Sequence, residues 1–128
     1  MGISGGGLVG FFSACLDERV SVACVSGYFN TFDESVLKVP HCLDNVFPGM
    51  RLLGEMPELA ALIAPRRLAV ENGSEDNIFP VGPFRDAVET ARRHWSDPAR
   101  LTADVFEGEH SFNGRSFWPK MAREGQGK

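Results

Sequence analysis

The chain has 128 residues, enough for one domain and too few for two. Hydrophobic residues make up 43% and charged residues 23%, an ordinary globular balance that excludes disordered and fibrous classes, and ten Phe with two Trp supply bulk for a core. The net charge of −4 argues against a nucleic-acid partner, which calls for a clustered basic face; the pairs Arg66-Arg67 and Arg92-Arg93 are expected on solvated loops or helix faces.

In chain order, the glycine-led apolar stretch from Gly5 to Asp17 reads as a helix, and its nearly continuous apolar character predicts that it is largely buried. Arg19 to Ser26 is short, valine-rich and closed by Gly27, as expected of a strand inside a parallel sheet covered on both faces. Tyr28 to Pro48 is broken by Asn30, Pro40, Asn45 and Pro48-Gly49 and reads as irregular, with a turn of helix around Asp33 to Lys38. Pro57 to Ile63 is a helix with proline in its first turn, stopped by Pro65. Arg67 to Glu71 is a second strand, and residues 72–80 form the loop after it. Pro83 to Trp95 repeats Phe84, Val88, Ala91 and Trp95 at helical spacing. Leu101 to Phe106 alternates as a strand, and after the loop at 107–114 a terminal helix is expected over Phe117 to Arg123.

Strands that alternate with helices imply crossover connections, hence an α/β fold with about three parallel strands flanked by helices, in one domain over residues 1–128. The order starts on a helix, as though an opening strand preceded it. Cys15, Cys24 and Cys42 cannot all pair within one chain; Cys15 and Cys24 sit among apolar neighbours as small buried thiols, and a reducing, cytoplasmic setting is the expectation. No apolar run approaches the roughly 20 residues that span a bilayer, and the N-terminus lacks the features of a signal peptide. No membrane partner is expected.

Chemistry in open parallel sheets gathers where loops leave the carboxyl ends of the strands. Ser4 lies there in Gly2-Ile3-Ser4-Gly5-Gly6, a G-x-S-x-G match directly before a helix. The small neighbours suit a serine on a tight, strained turn, and the Gly5 N–H at the helix start could stabilise an oxyanion. Asp76 lies in the loop after the second strand and His110 in the loop after the last. In this scheme Ser4 is the nucleophile, His110 the base and Asp76 the acid that orients the imidazole. Each piece has an ordinary alternative: an anion-binding turn for the glycines, a turn residue for Asp76, a capping or core role for His110. Glu75 competes with Asp76 as the acid. The weight rests on three residue types arriving in order, each beside the appropriate element.

His41 and Cys42 have no further partners at zinc-site spacing, so no metal is expected. His41 and Asn45 more simply organise their loop and line a pocket. Phe79 and Phe112 are pocket candidates that compete with plain core packing. His94, on a helix beside Arg93, is expected to face solvent.

The wording around these residues resembles the acetylxylan-esterase and dienelactone-hydrolase-like branch of the α/β-hydrolases. Ser-Gly-Gly-Gly at 4–7 looks like that branch's nucleophile elbow, followed by Leu16-Asp17-Glu18-Arg19-Val20 and Ser26-Gly27-Tyr28. His41-Cys42 with Asn45 and Pro48-Gly49 is similar to its long loop. Leu62-Ile63-Ala64-Pro65-Arg66 leads in the same way to Glu71-Asn72-Gly73 and then Asp76-Asn77-Ile78-Phe79-Pro80, and Phe106-Glu107-Gly108-Glu109-His110 looks like the branch's histidine segment. The resemblance implies that the chain is equivalent to the C-terminal half of an α/β-hydrolase, starting at the elbow. It implies a serine carboxylesterase acting through Ser4, Asp76 and His110 on small acyl or aryl esters, of acetyl or feruloyl type on plant polysaccharides, with no metal and no organic cofactor. The elements that precede the elbow in that branch, including the loop giving a second oxyanion N–H, have no counterpart here. An open sheet edge is therefore expected, and with it a homo-oligomer or a strand-pairing partner. The rival expectations are a non-catalytic remnant or interaction module, and a half-enzyme completed by another chain.

Overall fold

The computed structural model describes residues 1–119. Its centre is a four-stranded parallel sheet in sequential order: β1 (Gly2–Ile3), β2 (Val22–Ser26), β3 (Arg67–Gly73) and β4 (Leu101–Phe106). Three of these are the expected strands. The fourth, β1, is only two residues long and pairs Gly2 with Val25 and Ile3 with Ser26, so the count of about three becomes four. A two-residue strand has no periodicity to read, which is why the sequence hides it.

The connections are α1 (Gly5–Leu16), then the long loop containing α2 (Met50–Leu53) and α3 (Met56–Leu59), and finally α4 (Val81–Arg92). The expected helix over 57–63 is α3 continued by a 3₁₀ turn at Ala60–Leu62, started by a capping box between Glu55 and Glu58. Helix α2 was not anticipated, and the segment around Asp33 to Lys38 forms turns. The terminal helix expected over 117–123 lies largely outside the described residues.

Alternation along the strands divides the interior. Ala23, Val25, Leu68 and Val70 face one way and join Phe11, Ala14, Met56, Ile63, Phe84, Val88 and Trp95 in the main core. Cys24 and Ala69 face the other way and pack on Phe117. Ser26 and Glu71, register partners across β2 and β3, continue that second face. Helix α1 departs from expectation. Only Gly7, Phe11 and Ala14 are buried, whereas Val9 and Leu16 are 61% and 83% exposed, so an apolar sequence here does not mean burial on all sides.

Arg66, expected to be solvated, instead ties elements together. Its guanidinium donates to the carbonyls of Ala14, Asp17, Val20 and Leu62 at 2.7–3.0 Å, the first two of them acceptors at the end of α1. No helix among the described residues is long and apolar enough to cross a membrane.

Candidate active site

All four strands run the same way, so Ile3, Ser26, Gly73 and Phe106 end at one edge of the sheet. The sequence candidates stand on the loops that leave this edge. Ser4 joins β1 directly to α1 and has φ 54° and ψ −121°; it is the one non-glycine residue with positive φ among the described residues. Such a conformation costs a side-chain-bearing residue about 1–3 kcal/mol and persists only where its surroundings enforce it. Here the Ser4 N–H donates to the Ser26 carbonyl at 3.0 Å, and the Ser4 carbonyl accepts the first helical bond, from Leu8, at 2.9 Å. The turn is so tight that a Cβ at position 2 would collide with the backbone carbonyl of Gly6, which accounts for the first glycine of the motif. Gly5 opens α1, and its N–H is among the unpaired donors of a helix start.

Asp76 is 4% exposed. Its Oδ1 accepts the backbone N–H groups of Ile78 and Phe79 at 2.9 and 2.8 Å, which leaves Oδ2 to meet His110 Nδ1 at 2.7 Å. Glu75, the competing acid, is exposed and makes no bond to His110. The imidazole stacks on Phe79, with centroids 5.8 Å apart and planes 21° from parallel. Gly27 passes directly beside it: a Cβ there would lie 3.0 Å from Cε1 and 3.1 Å from Nδ1 of His110.

Two clefts open over these groups. One of about 250 Å³ is lined by Ser4, Gly5, Pro40, His41, Cys42, Asp44, Asn45 and Ile78. The other, about 230 Å³, is lined by Glu75, Asn77, Ile78, Glu109 and His110. Ile78 borders both, so the serine and histidine sides of the site meet at its side chain. Among the described residues Ser4 and His110 share no hydrogen bond. Unliganded sites of this kind commonly hold such pairs apart until substrate is bound.

The remaining candidates divide. His41 and Asn45 line the serine cleft; Asn45 donates to the Cys42 carbonyl and the Asp44 carboxylate, organising the loop. Burial lowers the His41 pKa, the nearby His110 adds to the effect, and a backbone bond to Ser35 and the Asp76 charge oppose it. Phe79 is buried and forms the wall between His41 and His110. Phe112 does not line the site. It packs against Phe117 and Trp118, because the chain after His110 turns back across the second face of the sheet. His94 faces solvent.

Two residues were missed. Tyr28 is fully buried against Phe79, its Oη has no hydrogen-bond partner among the described residues, and burial with the Asp44 charge pushes its pKa up. Glu71 is also fully buried. Its signal was an acid directly after the apolar run Leu68-Ala69-Val70, on the same face as Ala69 by alternation.

A parallel sheet with a strained serine at the head of a helix and a His–Asp pair on the two last strand loops is the arrangement of the α/β-hydrolase fold. No protein-family model matches the chain, nor does any curated protein. Solved structures do. TT1662 from Thermus thermophilus superposes with TM-score 0.65 at 24% identity, covering 97% of this chain and 49% of that one. A family 15 carbohydrate esterase, a glucuronoyl esterase from Caldicellulosiruptor kristjansonii, gives TM-score 0.72 at 18% identity, covering 94% and 40%. The esterase Pf2001 from Pyrococcus furiosus gives 0.64 at 14% identity, covering 98% and 50%. At these identities the likeness is one of fold, and the chain spans about half the length of the proteins it matches.

Proposed function

We propose that the chain carries the working end of a serine carboxylesterase. The observation that carries this reading is the serine held at positive φ on the same sheet edge as a His110 ring paired with the buried Asp76. Ser4 Oγ attacks the ester carbonyl while its proton passes to His110 Nε2. The developing oxyanion takes the Gly5 N–H at the positive end of α1. His110 then returns the proton to the departing alkoxide, leaving an acyl group on Ser4. A water deprotonated by the same nitrogen releases the acid and restores the serine. Asp76 keeps Nδ1 protonated and steadies the imidazolium.

The substrates that suit this reading are small acyl or aryl esters, acetyl or feruloyl, on plant polysaccharides. Clefts of 250 and 230 Å³ support small groups, falling below the roughly 300–1,000 Å³ of pockets that enclose larger ligands. The fold likeness to a carbohydrate esterase leans the same way.

A partner belongs to the proposal. Among the described residues the outer side of β1 carries no strand, and Met1 and Val9 beside it are 55% and 61% exposed. A second copy or another polypeptide adds a strand along this edge. Light scattering after size exclusion tests the point; a concentration-independent monomer that is fully active sinks it.

Hydrolysis of p-nitrophenyl acetate by the purified chain, beside Ser4→Ala and His110→Ala, tests the activity. Loss in both variants with folding intact supports the esterase. Equal slow background in all three turns the reading to a non-catalytic module with the same fold.

A further inference from the structure

We propose that Glu71 is a positioning residue that sets His110 against Asp76 by holding the chain on the far side of the histidine; this rests on the esterase reading above.

The loop carrying His110 is fixed from both directions, by different means. Before the histidine, backbone does the work: Ser74 N–H donates to the Phe106 carbonyl at 2.8 Å and Glu75 N–H to the Gly108 carbonyl at 2.9 Å. The loop crosses the end of β3 so closely that a Cβ on Gly73 would strike the carbonyls of Gly108 and Glu109. After the histidine, the Glu71 carboxylate takes over. Oε1 accepts Asn113 N–H at 2.9 Å, and Gly114 N–H reaches both oxygens, at 3.1 and 2.9 Å. Ser26 Oγ donates to Oε1 at 2.8 Å and stands 3.4 Å from the Ser111 carbonyl, the residue next to His110.

Glu71 and Ser26 are both 0% exposed. A carboxylate at such depth is costly unless its oxygens are filled, and a hydrophobic side chain would pack there without that cost. What Glu71 offers in place of such a side chain is a fixed acceptor aimed at consecutive backbone N–H groups. Ser26 extends the grip to the turn whose next residue, Gly27, lies against the His110 ring. The clamp therefore spans the strand end beneath the imidazole and the chain beyond it, and the Glu71 carboxylate itself bonds to none of the residues that line the two clefts.

The test compares Glu71→Ala, Glu71→Asp and Glu71→Gln with the unaltered chain, each purified and checked for folding. Gln keeps one acceptor oxygen, which in the Oε1 position still serves Asn113, Gly114 and Ser26. Asp withdraws the carboxylate by one methylene while keeping its charge. Two readouts are taken: kcat and KM on p-nitrophenyl acetate, and the low-field proton resonance of His110 Nδ1–H held by Asp76. Expected in Ala and Asp is a kcat lower by about 100-fold, the usual consequence of misplacing a catalytic group by an ångström, with KM unchanged and the resonance lost. Gln is expected to keep the resonance and most of kcat. Should Ala not fold, Asp carries the comparison. Folded Ala or Asp with an intact resonance and unchanged kcat overturns the proposal, even where Ser4→Ala is inactive and the esterase reading stands. Should the unaltered chain show no Ser4-dependent turnover, the esterase reading fails by itself. The resonance then decides: its loss in Ala or Asp upholds the clamp, and its persistence overturns it.

Discussion

Asp76 meets His110 Nδ1 through one oxygen, at 2.7 Å, only because its other oxygen is already taken by the N–H groups of Ile78 and Phe79. The carboxylate thus turns its own loop and orients the imidazole in a single side chain, and substitutions separate the two tasks.

Asp76→Asn retains the oxygen that Ile78 and Phe79 need but presents an amide to the imidazole, favouring the wrong tautomer. We predict a kcat lower by about 10⁴-fold with near-normal stability. Asp76→Ala should lose activity and also about 1–3 kcal/mol of stability, since two buried N–H groups lose their acceptor. Steady-state kinetics beside urea unfolding check both; equal stability in the two variants contradicts this account.

Ser4 stores strain. Replacing it by glycine relieves a cost of about 1–3 kcal/mol against glycine's extra chain entropy of about 0.5–1 kcal/mol, so Ser4→Gly should be inactive yet more stable than Ser4→Ala. Thermal unfolding of the two variants measures the difference, and a lower Tm for glycine rules the strain out.

Gly27→Ala places a methyl group 3.0–3.1 Å from the His110 ring at a backbone φ of +51°. The ring must move away from Asp76, and kcat should fall by about 100-fold with little effect on KM. Kinetics on p-nitrophenyl acetate decide it; unchanged turnover means the ring has another resting place.

His41 gives a pH signature. Burial first, then His110, lowers its pKa below the ordinary 6.5, so the unfolded chain binds the proton more readily. Its contribution is fully present above 6.5 and is lost as pH falls through the lowered folded value. The stability of the unaltered chain should therefore drop more steeply below pH 6.5 than that of His41→Gln, as read from urea midpoints across this range. Parallel profiles contradict the assignment.

The elements with long, regular patterns were legible: β4 matches its expected span, α1 ends one residue early, and α4 is shifted by two or three residues. That Ser4, Asp76 and His110 stand at one edge of the sheet was legible as well, because each sits beside a strand or helix whose pattern is strong. What sequence did not reveal depends on how distant segments meet. Strand β1 exists by pairing with Val25 and Ser26. The direction of Phe112 is set by the chain returning toward Phe117, and the exposure of Val9 by what does not cover α1. Glu71 looked like the end of a strand, and its role comes from Asn113 and Gly114, more than forty positions away.

The central claim is that Ser4 is a nucleophile activated by His110. Treating the intact chain with a fluorophosphonate and mapping the adduct by peptide mass spectrometry tests it most directly. The account predicts a single adduct on Ser4, absent in Ser4→Ala and strongly slowed in His110→Ala. No adduct, or one that forms equally well without His110, would contradict it.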